Sequence, residues 1–255
     1  MNTTDIKISI ITPTFNSAST ILQTYNCISE QTHHNWEWLV TDDCSSDDTI
    51  SIMSAICEKD SRVKLFKNAI NSGAAVARNN SLANASGQYI SFIDSDDLWF
   101  TSKLEKQLNF MLADNLDFTF TAYDLVDAQG NPLGKVVDLQ GDNFSVDYFD
   151  MLKKKATLGC STVMFKRAAF SDFSMPLIRT GQDYALWLKL LKSGKKAYLL
   201  NEILTRYRIL PNSISRNKIK KSQRQWSIYR KIEKLSLVHS AYCFGFYAWR
   251  AVFRK

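Results

Sequence analysis

A chain of 255 residues with 45% apolar content can bury one sizeable core but is short for two independent domains. Nine glycines, four prolines and no fixed repeat period exclude a solenoid and argue against long disordered linkers, while five cysteines, odd in number and in no CxxC pattern, suit a reducing cytosol rather than a disulfide framework. The formal charge of +7 is uneven: residues 206–255 hold 13 of the 32 Lys and Arg and one acid, Glu233, so the first 205 residues are net acidic, which weighs against nucleic-acid binding by most of the chain.

From Met1 to Lys7 the N-terminus runs directly into a strand-like segment, without the basic and apolar regions of an export signal, so a cytoplasmic location is expected. Stretches rich in β-branched and aromatic residues recur at 8–11, 36–41, 63–66, 89–93 and 118–122. Helical spacing fills the gaps at 20–30, 48–58 and 74–85. This alternation predicts an α/β fold, a Rossmann-like, mainly parallel sheet with helices on both faces. Beyond Asp124 come a turn at Gln129-Gly130-Asn131-Pro132, helices over 145–154 and 184–193, and strands over 161–165, 197–200 and 205–209. The expected organisation is a catalytic domain over 1–210, with a nucleotide-binding half (1–123) and an acceptor-side half (124–210), followed by a basic helical extension over 211–255.

In such sheets ligands bind beyond the carboxyl ends of the strands, and the polar clusters of this chain fall there. Thr12 to Asn16 follow the first strand, Thr41 to Ser45 the second, and Asp94-Ser95-Asp96-Asp97 the fourth. The last cluster would crowd several carboxylates into a small volume, where two charges about 4 Å apart cost about 4 kcal/mol at an effective dielectric of 20. A divalent cation would remove that cost, and oxygen ligands suit Mg2+ or Mn2+; a solvated turn opening a helix over 104–112 is the plainer reading. Asp43 could accept the imide N–H of a uracil, while Ser46 or Asp47 caps the next helix. Asn71-Ser72-Gly73 opens a helix carrying Arg78, so backbone N–H groups and a guanidinium could face an anion, although the Gly-Lys-Ser/Thr of a Walker loop is missing. Asp183 begins an amphipathic run, either as a helix cap or as a general base for an attacking hydroxyl.

These segments, Ser9 to Asn16, Val40 to Ser45, Asn71-Ser72-Gly73 with Ala77-Arg78-Asn79, Phe92 to Asp97 and Gln182-Asp183-Tyr184, resemble in order and spacing the family-2 glycosyltransferases of GT-A fold, over about residues 7–207. The tail resembles bacterial enzymes of O-antigen and other surface-polysaccharide assembly. The resemblance implies an inverting, metal-dependent transfer from a nucleotide diphosphate sugar, UDP-linked by expectation, to a hydroxyl of a lipid-linked glycan. It implies a base pocket lined by Pro13, Thr14 and Phe15, Asp43 on uracil, Gly73 and Arg78 near the nucleotide, Asp96 and Asp97 as the DXD-type pair holding Mn2+ or Mg2+, and Asp183 as catalytic base. Two departures stand out: Gln182 where relatives carry Glu, and Cys44 where they carry Gly, which puts the turn geometry in question. Gln223-Arg224-Gln225-Trp226 only approximates the processive signature, so one sugar per encounter is expected.

The tail from Arg216 to Lys234 carries Lys218, Lys220, Lys221, Arg224, Arg230 and Lys231, with Ile219, Trp226, Tyr229 and Ile232 at helical intervals. It reads as a basic amphipathic helix, lying with 237–253 on the cytoplasmic face of the inner membrane or packed on the catalytic domain. Competing functions are nucleic-acid binding through this tail and nucleotidyl transfer, but residues 12–17 lack the glycine and lysine that the latter requires.

Overall fold

The computed structural model describes residues 3–210 and 218–253. Strands β1 (Ile8–Thr14), β2 (Trp36–Asp42), β3 (Val63–Lys67) and β4 (Tyr89–Phe92) alternate with helices α1 (Ile21–Ser29), α2 (Thr49–Lys59) and α3 (Ala74–Ala83). They pair in parallel in the order β3-β2-β1-β4. The sheet continues through β9 (Met164–Lys166), β6 (Phe118–Val126) and β10 (Ala197–Arg208) to β5 (Leu98–Trp99), with β7 (Pro132–Val137) and β8 (Ser145–Val146) paired off this path. Because β9 is antiparallel to both β4 and β6, while β6 and β10 are parallel, the long strands still point the same way. The sheet is thus mainly parallel, as expected, with antiparallel pairing brought in by β5, β7, β8 and β9.

Burial explains why β1 and β2 are almost wholly apolar or inward-facing. Successive side chains point to opposite faces, so Ile8, Ile10, Trp36, Trp38 and Val40 enter one core with Ile21 and Met53, while Ile11 and Leu39 enter the other with Phe92, Phe118, Phe165 and Trp187. Register then places the site: Thr14 lies opposite Asp42, and Ile11 opposite Phe92, so the loops after β1, β2 and β4 leave from one rim. Thr12 ties two of them together, its hydroxyl donating to the Ile93 carbonyl at 2.7 Å.

Three expected boundaries moved. The run 145–154 divides into β8 and the short α5 (Tyr148–Leu152), because the Asp147 carboxylate accepts the Asp150 N–H at 2.8 Å and starts a new helix. Residues 197–200 and 205–209 belong largely to one strand, whose register against β6 shifts between Leu200 and Thr205. Residues 160–162 form a 3-10 turn before β9. Helices α4 (Lys103–Ala113) and α6 (Gln182–Leu191) lie close to their expected positions.

Past residue 217 the chain does not trail away. Helix α7 (Lys218–Ser227), a π-helical turn (Ile228–Ile232) and α8 (Leu237–Phe253) place Ile228, Tyr229 and Cys243 in the core that holds Trp187. The Tyr229 hydroxyl donates to the Leu152 carbonyl, and buried Glu233 accepts from Tyr148 and pairs with Lys192, each at 2.6 Å. Arg216 lies outside the described residues.

Lys103 is fully buried at the start of α4, its ammonium donating to Ser91 at 2.6 Å and lying 4.0 Å from the Trp99 ring centroid. Burial lowers its pKa well below 10.5. Unfolding between that lowered pKa and 10.5 therefore takes up a proton, so the group costs stability at neutral pH and less as pH rises towards 10.5. Lys103→Met is expected to raise the unfolding free energy by about 1 to 3 kcal/mol and to flatten that pH dependence. Urea unfolding at neutral and alkaline pH measures both; a less stable variant would contradict this account.

Candidate active site

The loops after β1, β2 and β4 enclose a cavity of about 240 Å3 lined by Pro13, Thr14, Phe15, Asp43, Ala74, Arg78, Asp94, Ser95 and Asp96. Asp43 is positioned by three donors: Asn68 Nδ2 at 2.8 Å and the Ser72 N–H at 2.9 Å on Oδ1, and the Gly73 N–H at 2.7 Å on Oδ2. A carboxylate accepts about four bonds, so one acceptor position remains for a ligand in the cavity. Gly73 serves this arrangement indirectly. It takes φ +90°, a backbone glycine alone adopts readily, and its N–H is spent on Asp43; it does not line the cavity.

Cys44 resolves its own oddity. It adopts φ +67°, the left-handed turn a glycine would take, at a cost of about 1 to 2 kcal/mol, with its thiol donating to the Asn68 carbonyl at 3.2 Å. Asp42 is occupied by the Ser45 N–H at 2.9 Å and the Ser45 hydroxyl, so Asp43 alone of the pair reaches the cavity. Asp47 accepts from the Thr49 N–H at 3.0 Å and from the Ala18 N–H at 3.0 Å, bracing the start of α2.

Arg78 is buried, and one terminal nitrogen donates to Asp94 at 2.5 Å. Its Nε and Nη1 have no protein partner, nor has the Thr14 hydroxyl. Unpaired donors in a cavity wall are costly unless a ligand accepts from them.

The acidic loop is sorted differently from the expected pairing. Asp94 and Asp96 line the cavity; Asp97 does not. Asp97 turns inward and accepts the Ser161 hydroxyl at 2.5 Å and the Arg208 N–H at 3.0 Å, bolting the loop to the ends of two other elements. Burial, then the charges of Asp96 and Asp94, pushes its pKa well above 3.8. Burial and then Asp94 push Asp96 up to about 6. At the cavity wall the strand tip thus presents Asp94 with Asp96, and Asp97 stands behind them. Among the described residues no three His, Cys, Asp or Glu side chains are grouped to enclose an ion. A Mg2+ or Mn2+ ion here would find one or two carboxylate oxygens, those of Asp94 and Asp96, with its remaining ligands left to a diphosphate and water.

Asp94 also lines a larger cavity of about 610 Å3, so the two spaces meet there. Asp183 lies in its wall at the first turn of α6, and among the described residues its carboxylate has no hydrogen-bond partner. The helix is entered through Gly181 at φ +77°, and a Cβ there would lie 3.0 Å from Arg224 Cδ, so α6 and α7 close on one another at this point. Asp183 is therefore not spent as a cap. Buried Gln182 beside it leaves Oε1 without a partner; an amide there avoids the burial cost that Glu would carry.

Residues 9–173 match the sequence profile of Glycosyl transferase family 2. The chain belongs to this family. It is 43% identical to TuaG of Bacillus subtilis, assigned to teichuronic acid biosynthesis, over 97% of both chains. Identity is 39% to WfgD of Escherichia coli, a UDP-Glc:alpha-D-GlcNAc-diphosphoundecaprenol beta-1,3-glucosyltransferase, over 88% of this chain and 85% of that one. Among solved structures, S. aureus TarS 1-349 in complex with UDP-GlcNAc superposes with a TM-score of 0.75 at 20% identity, covering 97% of this chain and 73% of the other, which establishes the GT-A fold.

Several residues of this family-2 transferase reach the larger cavity without any local signal in the sequence. Tyr123 and Tyr207, rings 5.9 Å apart, come from β6 and β10, and Lys221, Arg224, Gln225, Ile228 and Arg250 come from the tail. Gln223-Arg224-Gln225-Trp226 was the one hint: two of its four residues face the cavity from α7.

Proposed function

We propose that the chain is an inverting, divalent-metal-dependent transferase that moves a sugar from a UDP-sugar to a hydroxyl of an undecaprenyl-diphosphate-linked glycan in surface-polysaccharide assembly. The observation that carries this reading is the pair of cavities meeting at Asp94, one with Asp43 and unpaired Arg78 donors, the other with an uncommitted Asp183. The relatives' UDP-sugar donor and diphosphoundecaprenol acceptor supply the substrate classes.

In this reading Pro13, Thr14 and Phe15 bound the base, Asp43 accepts from the uracil imide, and Arg78 and Asp94 orient the ribose and diphosphate. Asp96, with Asp94, would hold Mn2+ or Mg2+, which when bound neutralises charge on the departing diphosphate. Asp183 takes the proton from the acceptor hydroxyl as that oxygen attacks C1 from the face opposite the leaving group. One base and one displacement invert that carbon.

A thermal-shift series with UDP, GDP, dTDP and CMP, each with and without Mn2+, tests the donor assignment. UDP with Mn2+ at about a hundredfold excess over Kd is expected to raise Tm by roughly 5 to 10 °C. Equal shifts from all four nucleotides, or a full UDP shift without metal, would sink it.

The proposed site of work is the cytoplasmic surface of the inner membrane. No helix among the described residues is long and apolar enough to cross a bilayer. Helix α8 instead exposes Leu237, Val238, Tyr242 and Trp249 beside a basic segment, the pattern of an interfacial helix. Flotation with anionic liposomes is expected to carry the full chain and to lose at least half of it after Tyr242→Ser/Trp249→Ser; equal flotation would contradict attachment through this face.

A further inference from the structure

The larger cavity that Asp183 lines also holds four cations from three elements, Lys135 on β7, Lys221 and Arg224 on α7, and Arg250 on α8, beside Lys154, whose ammonium lies over the Tyr184 ring. Among the described residues none of the four forms an ion pair, and Arg250 Nε is buried without a hydrogen-bond partner. Burial, then Arg224 and Lys135, holds Lys221 below its ordinary pKa, so these groups repel one another across the space. Of the three acids in the same wall, Asp138 accepts the Thr157 and Leu158 N–H groups, Asp94 is paired with Arg78, and Asp183 is one carboxylate against four cations. A protein keeps such a set in a cavity at a cost that a multiply charged anion would remove.

We propose that Lys135, Lys221, Arg224 and Arg250 form a subsite for the diphosphate of the acceptor's lipid anchor. The inference rests on the acceptor class given under Proposed function. Two arginines in a set of four suit a diphosphate, since each guanidinium fork can take two phosphate oxygens. The acceptor's diphosphate is favoured over the donor's because none of the four lines the smaller cavity, where Asp43 and Asp96 stand. The path onward is also on the surface. Arg250 shares α8 with Tyr242, Gly245, Phe246 and Trp249, which bound a shallow apolar depression, so a chain attached to the diphosphate can leave along α8 towards the bilayer. The tail then acts twice, anchoring the enzyme and reading the head group of the acceptor.

The test is a binding measurement that needs no turnover. The full chain is saturated with UDP and Mn2+ and titrated with decyl diphosphate, inorganic pyrophosphate or uncharged decyl maltoside. Decyl diphosphate is expected to bind, with decyl maltoside much weaker, and Lys135→Ala/Lys221→Ala is expected to weaken it about tenfold or more while UDP affinity is unchanged. Lys135 is exposed on β7, so Lys135→Glu alone tests the same point without disturbing the core. Equal affinity of the variants, an equal loss of UDP affinity, or binding of inorganic pyrophosphate but not decyl diphosphate would overturn the assignment. Sugar transfer by the wild-type chain without any decyl diphosphate binding would leave the transferase standing and remove this subsite.

Discussion

Asp183→Asn is expected to lower kcat by about a thousandfold while leaving the Kd for UDP nearly unchanged. The asparagine is the same size and sits at the same point of α6, but it cannot take up a proton at neutral pH. Because Asp183 has no internal hydrogen bond among the described residues, the substitution orphans no partner and should not destabilise the fold. Transfer of labelled sugar under single-turnover conditions, with UDP binding measured on the same preparation, separates the two quantities. Turnover within tenfold of wild type would remove Asp183 from the role of base and leave the two cavities without a proton acceptor. Loss of UDP binding in parallel would instead make it part of the donor site.

Asp96→Asn and Asp97→Asn, compared side by side, are expected to fail in different ways. Asp96 lines the smaller cavity and is pushed up to about 6 by burial and then by Asp94, a state that a bound cation would relieve. Its replacement should abolish the Mn2+-dependent part of UDP binding and lower kcat by about a hundredfold to a thousandfold. Asp97 lies behind the rim, holding the Ser161 hydroxyl and the Arg208 N–H. Its replacement should cost about 1 to 3 kcal/mol of stability, because an amide NH2 cannot accept from one of those buried donors, while Mn2+ affinity per folded molecule stays close to wild type. Isothermal titration with Mn2+ in the presence of UDP, beside urea unfolding, reads both effects. Metal affinity lost in Asp97→Asn but kept in Asp96→Asn would restore the pairing expected from the sequence.

That pairing shows where linear reading stops. Asp94, Asp96 and Asp97 are indistinguishable as letters, and a strand end alternates faces only until the turn begins. Which carboxylate looks outward was decided by Ser161 and Arg208, 64 and 111 residues further along, which claim Asp97. The same holds for Asp43. Its place at the tip of β2 was legible, but the clamp by Asn68, Ser72 and Gly73 depends on α3 starting beneath it. Cys44 shows the reverse case: the turn persists with a side chain that pays strain for it.

The first half of the fold was readable because β1, β2 and β4 are rich in β-branched and aromatic residues and divided by helical periods, and parallel strands covered on both faces need that composition. The second half was harder, since its pairings are non-local and antiparallel insertions such as β9 are short.

By itself the sequence determined the strand and helix order of the first half, the family, and the rim on which the polar loops meet, because periodicity and chain direction set these locally. Only the tertiary structure decided which acids line the cavities and that the basic tail closes the wall around Asp183. Those outcomes depend on contacts between segments far apart in the chain, whose free energy appears in no single stretch of it.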